Sequence, residues 1–448
     1  MTALYKTFSL VFLVMTLFNC QSSKESKPNV IVIYTDDQGP IDLNIYGATD
    51  LETPNMDAIA QRGVRFTQFY GAPVCSPSRA GLLTGKTPQR AGVPGNIRTV
   101  TTEGLGPEQY TMAEMFKDAG YATAHIGKWH LGYQPGMLPT DQGFDHSFGH
   151  YGGCIDNYSH FYFWSGPNKH DLYRNGEEVF HNGEFFPDLM VKEATAFISK
   201  GLEDPFFIYF AMNTPHYPYQ GYPEWLKYYQ DKGVKYPRDL YAAFVSTQDE
   251  VIGKLIDKLK ALGAYENTII VFQSDNSYST EARAHYGGGN AGPYRGAKSC
   301  LFEGGFRVPA AISWPNKIPE NEVRGQFGVN ADWMPTLAEL CDISLNTEIL
   351  DGKSLVPVIY NDQEESRHNE TFCWQYKDQW AVRNGKWKLL GNPVDKSNMA
   401  VLEKKDSLFL VDLEKDPGEM NNLVQQYPEI VQKLKKQLKD WHQYNASN

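Results

Sequence analysis

The sequence is poor in cysteine, lacks a surplus of positive charge and, after its first residues, contains no apolar run that could span a bilayer. Six of its 448 residues are cysteine, and their scatter argues against a disulfide framework and against a thiolate zinc site. The net charge of −11 argues against nucleic acid as a partner, so an anionic ligand would have to meet a local cluster of cations. Repeats and low-complexity linkers are also missing, and the hydrophobic content of 41% suffices for a packed core.

The first twenty residues have the pattern of a targeting signal. Lys6 precedes an apolar run from Thr7 to Phe18, which is too short to span a bilayer. The run ends at Asn19-Cys20, and this resembles a bacterial lipoprotein signal peptide (residues 1–20) with Cys20 as the lipid anchor to the membrane. Asn19 departs from the small residue usual before that cysteine, so an ordinary secretory signal remains the alternative. Both interpretations predict export, to the bacterial periplasm or the outer-membrane surface.

Apolar strands and helical patterns alternate from Pro28 to about Cys341. Strands are predicted at 29–34, 121–126, 205–212 and 267–272, and helices at 55–63, 111–120 and 239–262. The alternation predicts a mainly parallel α/β sheet flanked by helices, in a domain of residues 28–345. Short strands around an Asn384-Gly385 turn, followed by an amphipathic helix at 428–441, predict a smaller antiparallel subdomain at 346–448.

Polar residues come directly after four of the predicted strands. They are Asp36-Asp37, Lys128 with His130, Asn213 to His216, and Asp275-Asn276. Open α/β sheets bind ligands at the carboxyl ends of their strands, so these clusters are predicted to form one site. Each cluster alone is compatible with a loop cap, and a lone histidine before a loop is more often structural, but four clusters in this position favour a site.

The segment Cys75-Ser76-Pro77-Ser78-Arg79 opens a predicted helix that ends at Gly85. A cysteine followed by proline two residues on and arginine four on resembles the maturation signature of type I sulfatases, of the alkaline-phosphatase-like superfamily. The resemblance implies that a formylglycine-generating enzyme oxidises Cys75 to formylglycine (3-oxoalanine), whose aldehyde becomes the nucleophile. The residues alone leave open a buried thiol beside a turn.

The two polar pairs at 36–37 and 275–276 offer hard oxygen ligands, which suit Ca²⁺ or Mg²⁺ better than a soft metal. In the sulfatases that the chain resembles, such pairs hold one calcium ion. Carried over residue by residue, the resemblance implies these ligands: Asp36, Asp37, Asp275, Asn276 and an oxygen of the modified Cys75.

The same resemblance implies the catalytic residues, through the segments 127–132, 213–216 and 295–298. They are Cys75, Arg79, Lys128, His130, His216 and Lys298. It implies that a hydroxyl of the hydrated aldehyde attacks sulfur while Lys128 and Lys298 bind the sulfate oxygens. His216 would then protonate the departing sugar oxygen, and His130 would take the proton that allows sulfate to leave.

The resemblance implies a sulfatase that acts on a sulfated polysaccharide or its oligosaccharides. Two alternatives stay open: a phosphodiesterase or phosphonate hydrolase of the same superfamily, and a non-catalytic glycan-binding lipoprotein. Aromatic-rich segments at 146–164 and 277–294 are candidates for sugar stacking, with His160 and His285 as candidate specificity residues. Packed loops explain that composition equally well. Four cysteines remain for pairing, and the sequence does not choose among their pairings.

Overall fold

The computed structural model describes residues 27–98, 102–163, 168–201, 204–368 and 371–447. Ten strands form one mixed sheet: β1 Asn29–Thr35, β2 Gly63–Tyr70, β3 Ala122–Lys128, β4 His146–His150, β5 Tyr173–Arg174, β6 Glu177–Glu178, β7 Phe206–Ala211, β8 Thr268–Ser274, β9 Ala310–Ser313 and β10 Glu322–Val329. Their order is β10-β2-β9-β8-β1-β7-β3-β4-β5-β6. The mainly parallel sheet that the sequence predicts is therefore confirmed.

The centre of the sheet is a parallel block of β8, β1, β7, β3 and β4. Strand β1 reads Asn-Val-Ile-Val-Ile-Tyr-Thr, and every residue from Val30 to Tyr34 is fully buried. A near-continuous apolar run is typical of a parallel strand covered on both faces. The carboxyl ends of these strands consequently lie together at one edge of the sheet.

Helices cover both faces of the sheet: α1 Pro54–Gln61, α2 Cys75–Thr84, α3 Met112–Asp118, α4 Phe186–Lys200, α5 Pro223–Asp231, α6 Arg238–Ala261, α7 Glu303–Phe306, α8 Trp333–Leu340 and α9 Val356–Tyr360. Alternate residues of β1 pack against the helices on opposite faces of the sheet. Val30 and Val32 pack with α2, α3 and α8. Ile31 and Ile33 pack instead with α1, α4 and α6. The period of two along the strand thus divides one apolar run between two cores.

A second, antiparallel sheet follows near the carboxyl terminus, in the order β11 Phe372–Tyr376, β12 Gln379–Asn384, β13 Trp387–Gly391 and β14 Leu408–Asp412. One of its faces packs on α7, β2 and β10 of the main sheet. The other face receives α10 Pro428–Ser447 through Val431, Leu434 and Leu438, at helical spacing. This confirms the predicted smaller antiparallel sheet with its amphipathic helix. We call these four strands and α10 the C-terminal layer.

Two sequence predictions concern residues outside this description. The signal peptide at 1–20 and the lipid anchor Cys20 lie before the described residues. Within the described ranges, no helix combines the length and the apolar character needed to cross a membrane. The five cysteines in those ranges are all free and buried.

Candidate active site

The predicted site residues meet at the carboxyl edge of the parallel block. They follow β1, β7 and β8, end or follow β3, or come from α2 and the loop before α7: Asp36, Asp37, Cys75, Arg79, Lys128, His130, His216, Asp275, Asn276 and Lys298. All of them are buried. The structure thus brings together every residue that the sequence analysis selected for the site.

Cys75 is the first residue of α2, where the unpaired backbone N–H groups of a helix favour negative charge. Two serines attach this helix to its surroundings. The Ser78 hydroxyl donates to the backbone carbonyl of Asp275 at 2.6 Å, and the backbone N–H of Ser76 donates to Asn96 Oδ1 at 3.0 Å. The thiol is therefore held rigidly against the loop that follows β8.

Arg79 and Lys128 are buried cations bound to carboxylates. Arg79 Nη2 lies 2.9 Å from Asp275 Oδ2 and 3.8 Å from Asp36 Oδ1. Lys128 Nζ lies 2.6 Å from Asp36 Oδ2, and both partners are fully inaccessible to solvent. Burial alone would raise the pKa of Asp36, but Lys128, Arg79 and Lys298 together lower it below its ordinary value. Asp36 is consequently ionised at neutral pH.

Lys298 is the cation nearest to the cysteine. Its Nζ lies 3.2 Å from Cys75 Sγ and 2.5 Å from Asp37 Oδ1. Burial raises the pKa of the Cys75 thiol well above its ordinary value, and the Asp275 carboxylate raises it further. Unmodified Cys75 is thus a neutral thiol, which is a poor nucleophile at neutral pH.

The oxygen atoms of the two polar pairs fit a hard cation. Asp37 Oδ2 and Asn276 Oδ1 are buried and have no hydrogen-bond partner among the described residues. Ligand atoms of four residues lie within 4.8 Å of one another: Asp36, Asp37, Cys75 and His216. Burial raises the pKa of Asp37 to about 7, although Lys298 acts to lower it. The negative charges of Asp36 and Asp275 raise it as well. A cation such as Ca²⁺ would supply the missing partner and favour the carboxylate form.

His130 is fixed in one tautomer. Its Nε2 lies 3.0 Å from the carbonyl oxygen of Ile97, and because a carbonyl can only accept, Nε2 carries the proton. The Nδ1 atom is buried and has no partner among the residues that the structure describes. Burial lowers the pKa of His130 far below its ordinary value, and Lys128 lowers it further. The result is a neutral imidazole whose free nitrogen can accept a proton.

His216 has the opposite tautomer. Its Nδ1 donates to the carbonyl oxygen of Tyr217 at 2.7 Å, and its Nε2 lies 3.6 Å from Asp37 Oδ2. Burial lowers the pKa of His216 well below its ordinary value, and Lys298 adds to the effect. An anion bound beside Lys298 would weaken that repulsion and favour the protonated ring.

Backbone conformation at the site depends on one glycine and two strained residues. A Cβ on Gly127 would lie 1.9 Å from the carbonyl oxygen of Ala211 on β7, so only glycine fits before Lys128. Asp37 and His130 adopt left-handed φ angles of 64° and 58°. Such conformations cost free energy and concentrate at functional sites.

The sequence analysis missed several residues that support the site. Tyr34 bonds to Ser78, while Asn96 and Ile97 hold α2 and His130. Ser78 lies within the segment Cys75 to Arg79, so that motif could have indicated its role. Asn96 and Ile97 lie in a loop whose sequence has no recognisable pattern.

The two candidate specificity residues already have protein partners. His160 is buried, and its Nε2 bonds to the carbonyl oxygen of Glu184 at 3.1 Å. His285 Nδ1 shares a hydrogen bond of 2.7 Å with the hydroxyl of Tyr236. Their role in specificity stays a prediction.

Comparison with protein families gives two matches. The family model described as Sulfatase matches residues 28–343, and the model described as N-sulphoglucosamine sulphohydrolase, C-terminal, matches residues 294–444. The first covers well over half of the chain.

Individual relatives agree with the family match. N-acetylgalactosamine-6-sulfatase of Canis lupus familiaris is 34% identical over 388 residues, which span 81% of this chain and 71% of that protein. Arylsulfatase A of Homo sapiens is 32% identical over 456 residues, 91% of this chain and 86% of that protein. The crystal structure of Ps i-CgsB in complex with k-i-k-neocarrahexaose is similar at a TM-score of 0.82, with 29% identity and 93% of each chain covered. The chain therefore belongs to the sulfatase family and is a hydrolase of sulfuric esters.

Proposed function

We propose that the protein hydrolyses sulfate esters of a sulfated polysaccharide or its oligosaccharides, with formylglycine at residue 75 and one Ca²⁺ ion. The observation that carries this proposal is the position of Cys75. It starts a helix inside a buried cluster of cations and carboxylates, beside Lys298 at 3.2 Å. Its raised pKa makes the unmodified thiol a poor nucleophile. A residue 75 that a separate maturation enzyme has modified explains the surrounding charged cluster better.

The proposed ligands of the calcium ion are Asp36, Asp37, Asp275, Asn276 and an oxygen of the modified residue 75. When bound, the ion would neutralise the surrounding carboxylates and polarise sulfate oxygens as a Lewis acid. The unpartnered oxygens of Asp37 and Asn276 support this assignment. Arg79, which is bonded to Asp275 and close to Asp36, would hold two of the ligands in position.

The lysines of the site suit a sulfate group. Lys128 and Lys298 are buried ammonium groups, and each is paired with one of the two aspartates that follow β1. Preorganised cations in a site without water stabilise negative charge far better than hydrated ones. We infer that they bind the sulfate oxygens and stabilise the charge that develops during hydrolysis.

Two further groups would move protons. The hydrated aldehyde at residue 75 supplies a nucleophilic hydroxyl and a second hydroxyl, as a cysteine cannot. The free Nδ1 of His130 is suited to accept a proton from that residue. On the leaving-group side, His216 Nε2 and the Lys298 ammonium group are the candidate donors to the departing sugar oxygen.

A cavity of about 560 Å³ supports a carbohydrate substrate. Phe161 and Phe163, which are 40% and 38% exposed, line it together with Arg283. The Arg283 guanidinium lies over the ring of Tyr217, 5.6 Å from its centroid, and that ring is 4.1 Å from the ring of His216. Arg283 of the cavity wall is thus linked to His216 through Tyr217, and the exposed rings of the cavity can stack on sugars. A larger cavity of about 660 Å³ lies between β10 and the C-terminal layer, and no predicted site residue lines it.

The relatives support this substrate class. One is named for N-acetylgalactosamine-6-sulfate hydrolysis, and the similar crystal structure contains a bound neocarrahexaose. Both names concern sugars, and the first is that of a sulfatase. Export as a lipoprotein anchored at Cys20, which would expose the enzyme to external polysaccharides, completes the proposal. We also propose a catalytic domain at 28–345 and a C-terminal subdomain at 346–448.

The test is release of inorganic sulfate from a panel of sulfated oligosaccharides, by protein co-expressed with a formylglycine-generating enzyme. Mass spectrometry of the peptide around residue 75 would show whether the aldehyde is present. We expect sulfate release by the modified protein and none by the Cys75→Ala and Cys75→Ser variants. Alanine has no nucleophile, and a serine that became sulfated would lack the second hydroxyl through which the sulfate is eliminated.

Matched phosphate esters serve as the contrast. Faster release of phosphate than of sulfate would contradict the proposal and favour a phosphohydrolase. Full activity of protein whose Cys75 remains a thiol would contradict the role of formylglycine.

A further inference from the structure

The loop that carries Lys298 is tied to the cysteine through its backbone as well as through its side chain. The N–H of Lys298 donates to the carbonyl oxygen of Tyr278 at 3.0 Å. The N–H of Ser299 donates to the carbonyl oxygen of Pro73, two residues before Cys75, at 2.8 Å. Ser299 itself has a left-handed φ of 75°. The position of the Lys298 ammonium group therefore depends on an unusual local path of the backbone.

Helix α7 lies directly against this loop. A Cβ on Gly304 would lie 2.5 Å from the carbonyl oxygen of Tyr294, and one on Gly305 would lie 2.3 Å from that of Cys300. The N–H of Gly304 also donates to the carbonyl oxygen of Arg295 at 2.7 Å. Because the two glycines allow backbone-to-backbone packing, the loop and α7 form one rigid unit.

The C-terminal layer holds this unit from outside. Lys388 of β13 is fully buried between Glu303 Oε1 at 2.8 Å and Glu419 Oε1 at 2.9 Å, and Glu303 is the first residue of α7. Gln379 of β12 donates through Nε2 to the carbonyl oxygen of Ser299 at 2.9 Å. Both contacts reach residues beside Lys298 or on the helix that supports it.

Arg295 provides a third attachment, at the start of the same loop. Its Nε lies 2.7 Å from Asp395 Oδ2, and its Nη1 donates to the carbonyl oxygen of Glu419 at 3.0 Å. Arg295 is 1% exposed, so this ion pair is shielded from solvent. The loop is thus fixed at its beginning, immediately after Lys298 and at the following helix, each time by residues between 379 and 419.

We propose that the C-terminal layer positions Lys298 for catalysis, with Gln379 and Lys388 as positioning residues. Neither side chain contacts Cys75 or the predicted metal ligands in the described structure, and both act on Lys298 through the loop and α7. A displacement of about 1 Å in a catalytic group can cost on the order of 10²-fold in rate, so such support has a measurable effect. This inference rests on the proposed role of Lys298 in sulfate hydrolysis.

Gln379→Met is the most direct test, because it removes the hydrogen bond to Ser299 without leaving a buried charge unpaired. With a sulfated oligosaccharide that the wild type hydrolyses, we expect kcat to fall by about tenfold with KM nearly unchanged. Lys298→Met should lower kcat by about 10²- to 10³-fold. If Gln379 acts through Lys298, the double variant should be no slower than Lys298→Met alone.

Gln326→Met is the matched control. Gln326 of the edge strand β10 also donates through Nε2 to backbone carbonyl oxygens, but to those of Asp362 and Glu364, which belong to neither the Lys298 loop nor α7. We expect it to leave kcat unchanged, alone and together with Lys298→Met. All rates would be measured well below the unfolding temperature of each variant.

Lys388 is tested by the double variant Lys388→Met, Glu419→Gln, which removes one charge of each sign and leaves Glu303 paired with Arg307. We expect a loss of kcat that is likewise absent in a Lys298→Met background. A wild-type kcat in Gln379→Met, or losses that multiply with that of Lys298→Met, would overturn the inference. A wild-type kcat in Lys298→Met would instead refute the proposed role of Lys298 and, with it, any positioning.

Discussion

The main sheet and the C-terminal layer place their functional side chains differently. In the parallel block of the main sheet, the loops after β1, β7 and β8 and the end of β3 all open at one edge, and the buried polar cluster forms there. In the antiparallel sheet, neighbouring strands end at opposite edges, so their ends do not collect at one edge. Its polar side chains Gln379 and Lys388 instead contact Ser299 and Glu303 from within the strands. Parallel topology therefore concentrates the predicted catalytic groups, and we propose that the antiparallel layer supports them.

Both regions bury lysines against carboxylates, yet the charges are balanced differently. Where Lys388 of the C-terminal layer meets Glu303 of α7, burial alone would raise the pKa of Glu303, but Lys388, Arg307 and Arg383 lower it to about 2. In the active site, burial raises the pKa of Asp37 to about 7, and one of its oxygens has no hydrogen-bond partner within the described ranges. An incompletely compensated carboxylate is what a site needs in order to bind an additional cation.

The largest expected effect in this comparison comes from Asp37→Asn. It removes a proposed calcium ligand and the partner of Lys298, so we expect kcat to fall by at least about 10³-fold. We also expect calcium to raise the unfolding temperature of the wild type and not that of the variant, since a ligand stabilises only the state that binds it. Differential scanning calorimetry with calcium and with a chelator measures this directly.

Asp42→Asn is the matched control for that experiment. Asp42 is a fully buried aspartate after the same strand, but it is paired with Arg238 at 2.7 Å outside the site. We expect this variant to be less stable and still to respond to calcium. An equal response to calcium in Asp37→Asn would contradict the assigned ligand.

The sequence indicated that these polar residues would lie together, because many of them come directly after continuous apolar strands. Asp36 and Asp275 come directly after β1 and β8, and the order of these strands in the sheet brings them together. By contrast, β2 and β10 were not predicted. In both, polar residues such as Arg65 and Glu322 interrupt the apolar pattern, and the strands pair although more than 250 residues separate Val64 from Glu322.

The support from the C-terminal layer was beyond prediction from local patterns. Gln379 reaches Ser299 across 80 residues of sequence, and Glu419 accepts a hydrogen bond from the N–H of Glu303 across 116 residues. A glutamine at the start of a strand is typical of a surface position, and only the packing of the two sheets shows that it is buried. Partners of this kind become visible once the tertiary fold is known.

A second experiment separates the two faces of the C-terminal layer. Leu434 of α10 is 1% exposed and packs on the face that is turned away from the main sheet. We expect Leu434→Ala to lower the free energy of unfolding by about 3 kcal/mol, through lost burial and the cavity that remains. Its kcat should stay at the wild-type level wherever the variant is folded, unlike that of Gln379→Met. Urea unfolding measures the first quantity, and Lys436→Ala, on the exposed side of the same helix, should change neither.

A third prediction concerns acid stability. His125 of β3 is fully buried beside the site, and burial lowers its pKa to about 3. Below pH 6.5 this histidine is protonated in the unfolded chain but stays neutral in the folded chain. Its contribution to the free energy of unfolding is therefore fully present above that pH and is lost as the pH falls towards 3. Between pH 6.5 and 5 this amounts to about 2 kcal/mol.

The variant His125→Gln tests that prediction, because it cannot titrate. We expect a constant cost in stability and a flatter dependence on pH than in the wild type, measured by urea unfolding at several pH values. His442→Gln, at an exposed position of α10, should keep the wild-type slope. Parallel curves for wild type and His125→Gln would show that the buried imidazole does not contribute to acid instability.

The smallest expected effect is at the substrate cavity, where Phe161→Ala removes a ring that is 40% exposed. If this ring stacks on a sugar beside the scissile ester, kcat/KM for a sulfated oligosaccharide should fall about fivefold, a loss of about 1 kcal/mol. For a sulfated monosaccharide, which does not extend into the cavity, kcat/KM should hardly change. Tyr360→Ala removes an exposed ring at the end of α9 and should affect neither substrate. An equal loss on both substrates would mean that Phe161 stabilises the active site itself. That result would contradict a role of the cavity in binding the rest of the oligosaccharide.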